Sequence, residues 1–175
     1  RFYVLALNCS EKEAKTLAGK NFYIFGQTLI DRAAFLVGNG DKFTYTFYHE
    51  DYLLDIIKSG KGGVLLSAHL GNWETAGNLL KKRITSKINV VMLDAEVQKI
   101  KKYLDSSTGC SQFNIIPIKD DFSHVIGIRN ALGNNELVAI HADRFMEGAK
   151  YLEMNFLGKK AKFPLGPFII ASKFK

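Results

Sequence analysis

A chain of 175 residues, 47% of them hydrophobic, can bury one α/β core but is short for two independently folded domains, so a single domain over 1–175 is expected. The formal charge of +7 favours an anionic partner, yet Lys and Arg stand in small groups (Lys81-Lys82-Arg83, Lys99-Lys101-Lys102, Lys159-Lys160-Lys162) without an interleaved aromatic run, which argues against nucleic acid. Cys9 and Cys110 have no CxxC or Cys/His spacing, so neither a disulfide framework nor a zinc site is expected, and no stretch approaches the roughly 20 apolar residues that cross a bilayer.

In chain order, the first forty residues read as helical: Ser10 and Glu13 form a capping-box pattern, and Phe22, Phe25, Leu29, Ala33 and Leu36 recur at helical spacing. Gly38 and Gly40 end that region. The run Phe43–Tyr48 alternates like a strand, and a helix is expected over about 50–59. Gly60, Gly62 and Gly63 then mark a turn; a phosphate-cradling loop would follow a strand, whereas these glycines precede one. Beyond them the pattern alternates: strand Val64–Ala68, helix about 72–83, strand Ile88–Leu93, helix about 95–106, strand Phe113–Ile118, helix about 122–133, strand Leu137–Ala142. That rhythm predicts an α/β fold with a largely parallel central sheet flanked by helices. Tyr151–Phe156 reads as a further strand, and Phe163–Pro167 as a turn opening a last helix at Pro167. The chain opens on Arg1 and closes on an apolar helical run without a stop signal, so both ends are expected to be cut, with a membrane anchor and a C-terminal portion outside it.

In open α/β sheets chemistry gathers at the carboxyl ends of strands, here Ala68-His69 and Ala142-Asp143. His69 is followed five residues later by Glu74. On a continuous helix that spacing points the two side chains about 140° apart, so pairing requires a bend. Gly71 permits one, and Asn72 is a good N-cap for a helix starting at Trp73. A carboxylate on one imidazole nitrogen fixes the tautomer and leaves the other free to take a proton from a hydroxyl, which makes His69 and Glu74 a candidate general-base pair. The plainer alternative is that His69 caps the helix and Glu74 complements its dipole. With no GxSxG elbow and no cysteine near a histidine, a covalent acyl-enzyme is not expected. His49, His124 and His141 read as packing or surface residues, and without acidic or Cys neighbours at ligand spacing neither metal nor cofactor is expected.

The stretch Gly63–Glu74, a hydrophobic strand followed by His, Gly-Asn-Trp-Glu and helix, closely resembles the His-x4-Asp/Glu motif of the bacterial lipid A late acyltransferases. Leu137–Arg144, a strand ending in Asp, and the blocks Phe156–Ala161 and Pro164–Pro167 extend the resemblance over about residues 60–175, while the first sixty match loosely. The resemblance implies a glycerolipid-acyltransferase-like α/β fold, an acyl-carrier-protein thioester as donor, and a hydroxyl of a lipid A precursor or related glycolipid as acceptor. It also implies an anionic membrane surface as partner and a place on the cytoplasmic face of the inner membrane. His69 and Glu74 become the catalytic pair, Asp143 part of the surround, Arg144 a phosphate or oxyanion contact, and Asn72 a donor to the thioester oxygen. Capping explains Asn72 equally well, and an Asp-Arg turn explains Arg144. Arg83 and Arg129, the arginines between the two main blocks, sit in no matching motif. Two other readings stay open: a lysophospholipid or glycerol-phosphate acyltransferase, whose motif usually carries Asn and Asp where Ala68 and Glu74 stand, and a catalytically silent lipid-binding protein of the same fold.

Overall fold

The computed structural model describes residues 1–81, 83–94, 97, 114–144 and 148–174, with the side chains of Leu36, Glu74, Asn78 and Lys81 outside the description. The N-terminal helical region is two helices, α1 (Phe2–Leu7) and α2 (Glu11–Leu36), separated where Asn8 turns left-handed at φ 54°. The capping box opens α2 as expected: Glu13 N–H donates to Ser10 Oγ at 3.3 Å and Ser10 N–H to Glu13 Oε2 at 2.9 Å. A short 3-10 turn, Asn39–Lys42, follows.

The expected strand at Phe43–Tyr48 does not form. Alternation prepares a chain for a sheet, but a strand exists only where a neighbour completes its hydrogen-bond ladder, and this run pairs with none of the described strands. Its aromatic rings pack locally instead, Phe43 against Phe35 at 4.7 Å and Phe47 against Tyr45 at 5.2 Å. Helix α3 (Glu50–Lys58) then leads through the Gly60–Gly63 turn, with Gly60 and Gly62 both at φ 66°, into the sheet.

Four parallel strands, β1 (Gly63–Ser67), β2 (Ile88–Leu93), β3 (Asn114–Ile118) and β4 (Leu137–His141), lie in the order β1-β4-β2-β3. Helix α4 (Trp73–Lys81) follows β1, and α5 (Ser123–Gly133) joins β3 to β4. The expected helix over about 95–106 falls almost wholly outside the described residues. Side chains alternate between faces, so Val91, Val138 and Ile140 join Ile128, Ala131 and Leu132 of α5 in one core layer. Ile88, Val90, Met92 and Leu137 point the other way, with Leu53 and Ile57 of α3 and Trp73 and Leu80 of α4 packed against them. Helices on both faces explain why β2 is almost continuously buried. Pro117 is tolerated because β3 is at the edge of the sheet among the described residues.

A separate antiparallel hairpin follows, β5 (Tyr151–Phe156) and β6 (Lys159–Pro164). Phe163 and Pro164, expected in a turn, belong to β6, because Leu157 (φ 52°) and Gly158 (φ 75°) close a two-residue turn whose register carries pairing out to Tyr151↔Pro164. Helix α6 (Gly166–Lys173) starts one residue before the expected Pro167.

Candidate active site

Strand order creates the site. Because β4 lies beside β1 in register, with Ser67 opposite His141, the chain leaving each strand emerges side by side with the other. His69 and Asp143 each lie two residues beyond that pair, so the period of two aims them the same way. The Asp143 carboxylate grips the start of the β1–α4 connection twice: Oδ2 accepts from the His69 backbone N–H and Oδ1 faces His69 Nδ1, each at 2.9 Å. A carboxylate can only accept, so Nδ1 carries the proton and Nε2 is left as the basic nitrogen.

Burial acts to raise the Asp143 carboxyl, but hydrogen bonds from the ring and backbone of His69, together with attraction to its ring, outweigh that and hold the carboxyl below its ordinary value. Both side chains are half-buried, at 24% and 28% exposed, so the pair is sheltered yet reachable.

His141 packs against this imidazole with ring centroids 4.1 Å apart and planes tilted by 30°. Ser67 Oγ lies 2.9 Å from His141 Nδ1, and Trp73 meets the His141 ring edge-on at 4.8 Å. Ser67, Trp73 and His141 also form one end of a cavity of about 350 Å³ between the sheet and helices α3 and α4. The rest of its wall is mainly hydrocarbon, from Leu53, Leu65, Leu80, Ile88 and Val90.

The bend expected between His69 and Glu74 is present, with Gly71 at φ 65°. Asn72 caps α4: its Oδ1 accepts from Thr75 N–H at 3.2 Å, while its Nδ2 is buried without a partner among the described residues. Glu74 lies in the first turn of α4, and its side chain is outside the described residues. The carboxylate seen on His69 Nδ1 is that of Asp143, seventy-four residues away. Arg144 is exposed beside it.

Sequence reading missed two site residues, Ser67 and His141; the signal was their place two residues before His69 and Asp143 on the same strand face. Arg83, which sits in no matching motif, reaches Glu50 of the cavity wall through two bonds of 2.6 Å and lies 5.3 Å from the Phe47 ring. Metal-ligand spacing is absent in sequence, yet the fold brings one ligand atom each of His69, His141 and Asp143 within 4.8 Å of one another. In that cluster Asp143 Oδ1 already faces His69 Nδ1 and Ser67 Oγ already faces His141 Nδ1, each at 2.9 Å.

The other histidines lie apart from this pair's chemistry. His49 precedes α3, stacks on Tyr52 at 5.7 Å and borders the cavity, while the ring of His124 accepts from the Lys119 N–H at 3.4 Å. Among the described residues, no helix is long and apolar enough to cross a membrane.

A search of curated proteins found no match. The profile of the family described as bacterial lipid A biosynthesis acyltransferase matches residues 3–175, extending the likeness through the first sixty residues as well. With a sheet-tip imidazole–carboxylate pair beside an apolar cavity, in a mostly parallel α/β fold, the chain belongs to the bacterial lipid A biosynthesis acyltransferase family.

Proposed function

We propose that this protein transfers a fatty acyl chain from an acyl-carrier-protein thioester to a hydroxyl of a lipid A precursor or related glycolipid, with His69 as general base. The observation that carries the reading is the half-buried His69–Asp143 pair placed where a hydrocarbon-lined cavity meets the strand tips. His69 Nε2 takes the proton of the acceptor hydroxyl as its oxygen attacks the thioester carbonyl. The tetrahedral oxyanion collapses, the C–S bond breaks, and the thiolate recovers the proton from the imidazolium. Atoms balance without a covalent enzyme intermediate.

Asp143 holds Nδ1–H and fixes the tautomer in this scheme. Glu74, the carboxylate of the His-x4-Glu motif, is the second negative charge that favours the imidazolium. Asn72 and Arg144 are the proposed oxyanion contacts. For Asn72, capping and donation are compatible, because Oδ1 does the first and Nδ2 has no other described partner. The +7 charge supports docking to an acidic carrier protein and to an anionic lipid surface, with the cytoplasmic face of the inner membrane as the proposed location.

The test is mass spectrometry of lipids after incubation of the full-length protein with acyl-carrier-protein thioester, a phosphorylated disaccharide lipid and a lysophospholipid offered together. One acyl mass added to the disaccharide, and abolished in Glu74→Ala, is the expected result. Addition to the lysophospholipid instead would overturn the acceptor, and no transfer to either would overturn the proposed reaction.

A further inference from the structure

Helix α4 presents Trp73, Ala76, Gly77 and Leu80 to the cavity, a stripe at i, i+3, i+4 and i+7. The outer two are bulky. The middle two are among the smallest residues available, and across from them β4 contributes another small one, Ala139. Large side chains at both ends and hydrogen or methyl at the centre are what leave space between helix and sheet.

Gly77 is the informative member. Glycine inside a helix costs about 0.5–1 kcal/mol relative to alanine, because its backbone loses more freedom on folding. Gly77 lies within α4 and is not among the glycines with positive φ, so no turn accounts for it. What it does border is the cavity.

The cavity also has a direction. One end holds Ser67 and His141, and the His141 ring packs directly on His69. From there α4 runs from Trp73 to Leu80, about 10 Å of helix at 1.5 Å per residue, toward Leu80 and Ile88. The walls at that end are tied together, since Arg83, just past α4, grips Glu50 at the start of α3. A tail that enters beside His69 therefore runs past Gly77 before it meets the bulk of Leu80.

We infer that this cavity holds the hydrocarbon tail of the acyl donor, and that Gly77, with Ala76 and Leu80, decides how long a saturated, unbranched tail is accepted. This rests on the proposed acyl transfer and adds the residues that set its chain-length selectivity.

The experiment offers the full-length protein a mixture of short, medium and long saturated acyl-carrier-protein thioesters and reads the acyl masses added to the disaccharide lipid. Gly77→Leu fills the middle of the cavity. The long-to-short product ratio should fall by about tenfold or more, since even one methylene in a hydrophobic pocket is worth that much discrimination. Leu80→Ala deepens the far end and should move the ratio the opposite way. Circular dichroism and a melting curve establish folding; should Gly77→Leu fail to fold, Ala76→Val and Leu80→Ala carry the test. Transfer with an unchanged length ratio in the folded variants overturns this inference and leaves the acyl-transfer reading standing. No transfer by the wild-type protein with any donor overturns that reading and this inference with it.

Discussion

Two polar networks stand at opposite ends of the same parallel sheet, and they are built differently. At the amino ends, Asn89 is 1% exposed and fully engaged: its Nδ2 donates to Glu136 Oε2 at 2.9 Å and to the Leu137 carbonyl at 3.1 Å, and its Oδ1 accepts from Asn114 Nδ2. At the carboxyl ends, His69 and Asp143 are half-buried, and neither the basic Nε2 of His69 nor the Asn72 amide nitrogen nearby has a partner among the described residues. A buried polar group is tolerable when every hydrogen bond is made, which describes the first network. Unspent hydrogen-bonding capacity beside an apolar cavity describes the second, and such capacity serves a substrate better than it serves the fold.

The contrast breaks most sharply if the wrong end proves essential for chemistry. His69→Ala is expected to lower kcat by about 10²–10⁴, or roughly 3–5 kcal/mol of barrier, with little change in thermal stability. A folded His69→Ala protein with full activity would remove the mechanism. Asn89→Ala should do the reverse: stranding Glu136 and Asn114 costs about 1–3 kcal/mol of stability, read as a lower urea midpoint, with the rate of the remaining folded enzyme maintained. Loss of rate without loss of stability there would erase the distinction between the two networks.

Gly62→Ala probes the amino-end side further. The added methyl would meet the Glu136 carbonyl oxygen at 2.7 Å in a backbone held at φ 66°, so a loss of more than about 1 kcal/mol is expected from chemical denaturation.

The smallest effect sharpens the carboxyl-end side. Asp143 titrates below its ordinary value in the folded protein, so its contribution to stability is present above its unfolded pKa and is lost as pH falls through the folded value. In Asp143→Asn that increment is absent at every pH. The gap in Tm between wild type and variant should therefore narrow on acidification, and a gap independent of pH would mean that the carboxylate contributes no such increment.

Much of this arrangement was legible in the sequence because it is local. Hydrophobic periodicity located α3, α4, α5 and the sheet strands, the latter to within a residue or two wherever they are described, and Ser10 with Glu13 marked the start of α2. Gly71 and Asn72 foretold the bend that leaves His69 at a strand tip. Phe43–Tyr48 failed for a nonlocal reason, since alternation cannot supply a neighbouring strand. The pairing of β6 was missed because its three lysines mask a period-two pattern that only the hairpin register reveals.

The sequence by itself determined the alternating α/β order, the placement of His69 and Asp143 just past strand ends, and the family motif around them. Tertiary structure alone decided that β4 inserts between β1 and β2, and with it that Asp143 meets His69 Nδ1 while His141 packs on the same ring. Strand order is fixed by how helices and strands share two buried faces, a balance spread over the whole core, so no short stretch of sequence carries it.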